Sequence, residues 1–155
     1  MTRKRSSESG AETLEMTLIF LPLMGLLFML LDVSMVIFLR STFQEAVREG
    51  VRYGITGAND TGPCQDDSIK TVIKKYSLGF LGGTAASTMH VHFMSPVTGA
   101  KSDNEPGNII EVTVEGYKFL PWAPYGHSGS VYMWARALDV MEPYPGVPPC
   151  LSVKE

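Results

Sequence analysis

Apolar residues cluster at one end of this chain. From Met16 to Leu39, 24 residues carry a single charge, Asp32. As a helix this run rises about 36 Å, enough to cross a bilayer core with some tilt. A soluble core helix rarely runs so long without a polar face. A cleaved secretory signal has a shorter apolar run and a small-residue cleavage site, which Arg40-Ser41-Thr42-Phe43 does not provide. The pattern therefore predicts one transmembrane helix. Pro22 and Gly25 lie inside it. They predict a kink and added flexibility, read either as a helix that bends on assembly or as ordinary membrane-helix composition.

The helical period continues past the membrane run. Phe43, Val47, Gly50, Val51 and Gly54 recur on one stripe, with Glu45, Arg48, Glu49 and Arg52 on the other side. The stripe predicts a stem that packs on an outer domain. Gly50 and Gly54, four residues apart, admit a close-approaching backbone; Gly54 and Gly57 also read as helix stops. Gly57 to Ser68 has loop composition. A short helix follows from Asp66 or Asp67 to about Leu78, with Ile69, Val72, Ile73 and Tyr76 as its apolar face and Lys70, Lys74 and Lys75 as its wet face. Three period-two segments come next. Met89, Val91 and Phe93 alternate with His90 and His92. Ile110, Val112 and Val114 alternate with Glu111, Thr113 and Glu115. Tyr132, Trp134, Leu138 and Val140 line one face of the last, interrupted by Arg136. The connections Ser95–Gly107 and Leu120–Gly129 are rich in Pro and Gly. The expected fold is α+β: a long N-terminal transmembrane and stem helix, then a small antiparallel sheet domain with one short helix. The expected boundaries are 1–10, 11–56 and 57–155.

Composition refines this picture. The chain has 155 residues, room for one domain with a real core. Its net charge is −3 and only the first ten residues are basic, which excludes a nucleic-acid binder on charge grounds. Arg3, Lys4 and Arg5 precede the apolar run. Arg40, Arg48 and Arg52 follow it, mixed with Glu45 and Glu49, so the positive-inside excess at the N-terminus is modest. The only cysteines, Cys64 and Cys150, lie beyond the run near the two ends of the outer domain. They read as one disulfide in an oxidising compartment, with two unrelated buried thiols as the alternative. Both cues place the N-terminus in the cytoplasm and residues 41–155 outside.

The junction before the apolar run, Ser9-Gly10-Ala11-Glu12-Thr13-Leu14-Glu15, combines a basic leader, a Gly before a small residue, and a Glu at the fifth position after that Gly. One reading of Glu15 is an interfacial carboxylate with its head in water. The three features together resemble a prepilin processing site. That resemblance implies cleavage after Gly10 by a membrane-embedded aspartic prepilin peptidase, with the apolar helix retained. The mature chain would then have 10 basic and 15 acidic residues and a charge of −5. A new amino terminus at Ala11 lies one helical turn from Glu15. Pairing that terminus with Glu15, within or between chains, would penalise any packing register that left either charge alone.

The stretch Thr42-Phe43-Gln44-Glu45-Ala46-Val47-Arg48-Glu49-Gly50-Val51-Arg52-Tyr53-Gly54 is similar to the segment after the membrane helix in TadE-like proteins, minor pilin-like components of the tight-adherence (Flp) pilus system. Asp32 matches the acidic residue usual late in that family's membrane helix. The resemblance covers Gly10 to about Gly54, with a weaker match at Ala135-Arg136-Ala137. It implies an inner-membrane pseudopilin whose partners are other pilins and pseudopilins, the prepilin peptidase and the bilayer, with entry into a surface pilus as one outcome. From the residues alone, Asp32 is either protonated or satisfied by another chain, since Arg40 is too far along the helix.

Catalytic or metal chemistry has little support. His90 and His92 share a strand face without a third ligand at metal spacing, so a solvated face is the stronger reading. His127 near Ser128 and Ser130 has no G-x-S-x-G elbow, and there is no phosphate loop with Lys. No cofactor or small-molecule ligand is evident. Trp122, Pro124 and Tyr125 form an aromatic loop that either touches a partner or caps the sheet. Three functions compete: a TadE-like assembly pseudopilin, a single-pass anchored binding module outside the membrane, and an anchored enzyme. The first predicts cleavage after Gly10, the second an intact N-terminus and a ligand cleft, and the third a cluster of titratable groups that the sequence lacks.

Overall fold

The computed structural model describes residues 8–57, 64–122, 129–143 and 149–151. Arg3, Lys4 and Arg5, the loop residues 58–63, and Pro124, Tyr125, His127 and Ser128 lie outside them. The elements are α1 (Glu8–Ile55), α2 (Gln65–Tyr76), a short 3-10 turn (Gly83–Thr88), β1 (Met89–Met94), β2 (Ile109–Phe119) and β3 (Val131–Val140). The strands form an antiparallel meander in the order β1-β2-β3. The expected α+β architecture is present: one long helix, one short helix and three strands.

α1 runs 48 residues and is not ended by Pro22. Its burial divides it in two. From Ala11 to Leu31 nearly every residue is exposed. From Asp32 onward an inward stripe begins: Asp32, Met35, Val36, Leu39, Phe43, Ala46, Val47, Gly50, Val51 and Gly54. This is the 3.6-residue period of a helix with one face on a core. Phe43, Ala46 and Val47 are fully buried. Burying each large side chain contributes on the order of 1.5–3 kcal/mol.

The remaining elements pack along this stripe in alternating directions. α2 runs antiparallel to the stem. Its Ile69 and Ile73 are fully buried at Gly54 and Gly50. β2 descends in the same sense, with Ile110 at Gly54, Tyr117 edge-on to Phe43 at 4.7 Å, and Trp122 beside Asp32. β3 climbs back: Gln44 Nε2 donates to Arg136 O at 3.0 Å, and Glu142 N donates to Ile55 O at 3.0 Å. The domain therefore has a top beside the C-terminal end of α1 and a base beside residues 31–39.

Gly50 and Gly54 are where the close approach occurs. A Cβ on Gly50 would sit 2.6 Å from Ile73 Cγ1, and one on Gly54 would sit 2.4 Å from Ile110 Cδ1. Isoleucine side chains, rather than another backbone, fill the groove. Gly54 lies within α1 and not at a stop; Gly57, at φ +69°, makes the turn after it.

Several expectations about individual faces need correction. α2 starts at Gln65, earlier than Asp66, and Tyr76 is 45% exposed rather than part of the buried face. In β3 the inward residues are Met133 and Ala135, whereas Tyr132, Trp134, Leu138 and Val140 face solvent. The reason is proximity: α1 crosses β3 closely enough for Gln44 to bond Arg136 O, and the inner-face residues on either side of that contact, Ala135 and Ala137, are small. In β2, Glu111 and Thr113 alternate with the apolar residues, as a wet face would, yet they are only 9% and 5% exposed. β2 is the central strand, so both flanks are covered, and Arg136 pairs with Glu111 across the sheet. The register shifts between Val114 and Tyr117, where Gly116 adopts φ +71°. That bulge lets β2 turn Tyr117 and Phe119 back toward the stem.

These contacts predict that Gly50→Val destabilises the outer domain by about 1–3 kcal/mol, the usual cost of overpacking. Gly25→Val, where nothing lies within 4 Å, should leave it unchanged. Denaturant unfolding of the detergent-solubilised chain, followed by near-ultraviolet circular dichroism, checks both.

Candidate functional site

The sequence-selected residues fall in three places along α1 and its domain. Gly10, Ala11 and Glu15 lie near the start of α1, exposed. Asp32 sits where the inward stripe begins. Cys64 and Cys150 lie at the top. The structure does not bring these three groups together.

At the start of α1, Thr13 Oγ1 donates to Gly10 O at 2.9 Å, and Thr17 Oγ1 donates to Thr13 O at 2.8 Å. Ser34 and Thr42 do the same to Leu30 O and Phe38 O, at 2.7 and 2.9 Å. These four hydroxyls thus bond a carbonyl one turn back. This is how such groups are tolerated where water is scarce.

Asp32 has a partner that the sequence did not reveal. Trp122 N donates to Asp32 Oδ1 at 2.9 Å. Beside the proton and the second chain that the sequence suggests, the chain's own outer domain reaches down and supplies a backbone donor. The end of β2 and the turn after α2 meet the helix here. Leu31, Asp32, Met35, Leu39, Phe80, Tyr117, Phe119 and Trp122 enclose an apolar cleft of about 350 Å³. Phe80 packs edge-on against Phe38 with ring centres 6.5 Å apart. Trp122 does not cap the sheet, since it is 79% exposed.

At the top, the structure joins Cys64 to Cys150, with Cα atoms 4.9 Å apart and a sequence separation of 86. Gln65 N donates to Cys150 O at 2.9 Å, beside the disulfide. Gln65 itself is fully buried. Its Nε2 donates to Gly54 O at 2.9 Å, capping a carbonyl at the end of α1. Asn104 Nδ2 donates to Gln65 Oε1 at 2.5 Å and to Pro149 O at 2.8 Å. Gln65 and Asn104 were missed by sequence reasoning, because a single polar residue in a loop-like stretch carries no periodic signal. They fasten the end of the stem, the β1–β2 connection and the C-terminal segment to one another.

His90 and His92 stack with ring centres 6.1 Å apart. His92 lies opposite Glu111 in the β1–β2 register, but Glu111 is engaged by Arg136. Among the described residues no group of three or more His, Cys, Asp or Glu is placed to hold a metal ion. A second open cleft lies between α1 and α2, lined in part by Glu49, Arg52, Tyr53 and Tyr76. Arg52 and Glu49 approach to 3.8 Å on its rim, an exposed pair of little energetic weight.

The arrangement is that of an α+β domain carried on one long helix whose N-terminal half is apolar and bare, which points to membrane anchoring. Residues 10–52 match the family model described as TadE-like protein, the family that the stretch from Gly10 to Gly54 resembles. The match falls wholly on α1 and points to a protein associated with the Tad pilus. No curated protein and no solved structure matches the chain.

Two outcomes follow from the site. Asp32→Leu should remove the acceptor for Trp122 N–H and speed exchange of that amide, while Asp32→Asn keeps it; hydrogen-exchange mass spectrometry of the 115–122 peptide reads the difference. Replacing Cys64 and Cys150 by Ser should cost roughly 4 kcal/mol in the chain-entropy account. Denaturant midpoints of the two forms measure it, with non-reducing peptide mapping of the unaltered chain to establish the bond.

Proposed function

We propose that this chain is a TadE-type pseudopilin: a non-enzymatic assembly protein of a tight-adherence pilus, anchored in the inner membrane with its N-terminus in the cytoplasm and its α+β domain outside. The family match over residues 10–52 carries the proposal. The form of α1 supports it. A helix with a bare apolar half and a domain-bound half can exchange lipid for neighbouring helices without disturbing the domain.

Processing between Gly10 and Ala11 by a prepilin peptidase is part of the same proposal. The bond lies inside α1, so cleavage requires local unwinding. Gly10 makes that inexpensive, since glycine in a helix is about 1 kcal/mol less favourable than alanine. No neighbouring side chain would be displaced there, because nothing lies within 4 Å of a Cβ at Gly10. Residues 1–10 are then a leader, residues 11–56 the anchor and stem, and residues 57–155 the outer domain.

Glu15 is the assembly carboxylate in this reading. It is exposed on the bare half of α1, where the outer domain does not reach. An ion pair with the new amino terminus of Ala11 on an adjacent subunit would fix the axial register.

Intact-mass measurement of the protein from cells containing the peptidase should give a chain beginning at Ala11; a mass that retains Met1–Gly10 would refute processing. Glu15→Leu should still reach the membrane and fold outside, yet lose crosslinking to other pilus subunits. Undiminished capture of those subunits would remove the register role.

A further inference from the structure

We propose that the base of the outer domain is a membrane-interface footing, in which Trp122, Leu120 and the Leu78–Phe80 turn sit in the headgroup boundary of the outer leaflet. The hydrocarbon then ends at Asp32, not at Leu39 where the apolar run ends. The occupant of this surface is lipid. The inference rests on anchoring by α1 and not on the pilus role, so it can fail or hold independently of that role.

The domain reaches down to Asp32 through the bond from Trp122 N and through the cleft shared by Leu31, Asp32, Phe80 and Trp122. Everything above that point on the inward stripe is already covered by protein. If the hydrocarbon extended to Leu39, the seven residues from Asp32 to Phe38 would carry the base about 10 Å into it. The turn after α2 and the end of β2 would then expose irregular backbone to lipid, which does not occur in hydrocarbon. A boundary at Asp32 avoids this. Measured back from there, a core of about 30 Å at 1.5 Å per residue reaches approximately residue 12. The span then uses the whole bare half of α1, and Glu15, within one turn of that end, reaches the opposite boundary with its side chain. A boundary at Leu39 would instead reach only to about Ile19 and leave the exposed apolar residues Leu14, Met16 and Leu18 beyond it.

The composition of the base fits the interface. Trp122 is 79% exposed, Leu78 68% and Leu120 63%. Phe38 of α1, also exposed, packs edge-on against Phe80 of that turn, so the apolar surface continues onto the lipid-facing helix. Tryptophan concentrates at the headgroup level, where its ring is amphipathic. Leu78 holds φ +54°, a left-handed conformation that a leucine adopts at a cost. The turn it makes closes the end of α2, where Gly79 N donates to Lys74 O at 3.3 Å, and it leaves the side chain facing outward. Lys74 and Lys75 in the last turn of α2, and Lys118 in β2, lie just above this surface, as cations do near anionic headgroups.

The chain contains only two tryptophans, Trp122 and Trp134, which makes the test direct. Trp134 lies on the outer face of the sheet, 68% exposed, and serves as the reference. The full chain carrying Trp134→Phe or Trp122→Phe is reconstituted in nanodiscs of phosphatidylethanolamine and phosphatidylglycerol. Trp122 alone should emit to the blue of Trp134 alone. It should lose emission to lipids brominated near the headgroup end of the acyl chain, and resist iodide in the water. Trp134 should show the reverse. Iodide quenching of Trp122 equal to that of Trp134 would overturn the proposal. Strongest quenching by bromines at the end of the acyl chain would overturn the Asp32 boundary. Shielding from iodide with no quenching by brominated lipid would mean that a protein covers the base, and would overturn lipid as its occupant.

Discussion

One helix face carries this protein. The stripe from Asp32 to Gly54 is the surface on which α2 and the sheet are assembled, and those elements touch one another less than they touch or flank it. Its residues taper: Leu39 and Phe43 near the base, alanine and valine in the middle, glycine at the top. Where the stem is bulky the sheet contributes Tyr117 and Phe119 from beyond a bulge. Where it is bare, Ile69, Ile73 and Ile110 press onto the helix. The two gradients are complementary, and that fixes the axial position of every other element. The disulfide and the Gln65–Asn104 node then hold the top, where the packing stripe ends and loose chain would otherwise begin.

Much of this architecture was legible in the sequence. A 24-residue apolar run and a following stripe at helical spacing can mean little else, and the alternation in β1 reports its buried face because β1 is an edge strand with one covered side. β3 was misread for a physical reason. Pattern reading assumes that bulk is buried, but the space under a crossing helix selects for small size. Ala135 and Ala137 therefore lie on the inner face while Trp134 lies outside. Glu111 and Thr113 were misread because a central strand has no fully wet side. The Asp32–Trp122 bond joins residues 90 apart through a backbone donor, which no side-chain pattern encodes.

Glu15 and Asp32 looked equivalent in the sequence, as two carboxylates at odds with an apolar helix. Their surroundings now separate them. Asp32 belongs to the domain, where a backbone N–H meets it and aromatic residues surround it. Glu15 lies on the part of α1 that the domain leaves bare. The two are 17 positions apart, about 26 Å along a helix, and the residues between them carry no charge. They bracket a stretch close to the thickness of a bilayer core. A span flanked in this way resists sliding in either direction, because displacement would draw one carboxylate or the other into hydrocarbon.

That resistance bears on how such a protein could leave the membrane. On the proposed topology, extraction along the helix axis would require Glu15 to cross the hydrocarbon, and a charge does so only with a partner or a proton. A neighbouring subunit that offers a cation to Glu15 lowers this barrier and, in the same contact, covers apolar residues that the bilayer had solvated. The outer domain presents no such obstacle, since its contacts with α1 lie at and above Leu31 and travel with the helix. Asp32 likewise keeps its donor throughout, because Trp122 moves with it. The asymmetry therefore assigns the two halves of α1 different tasks. The upper half keeps a folded domain rigidly attached, and the lower half is the part whose surroundings can change.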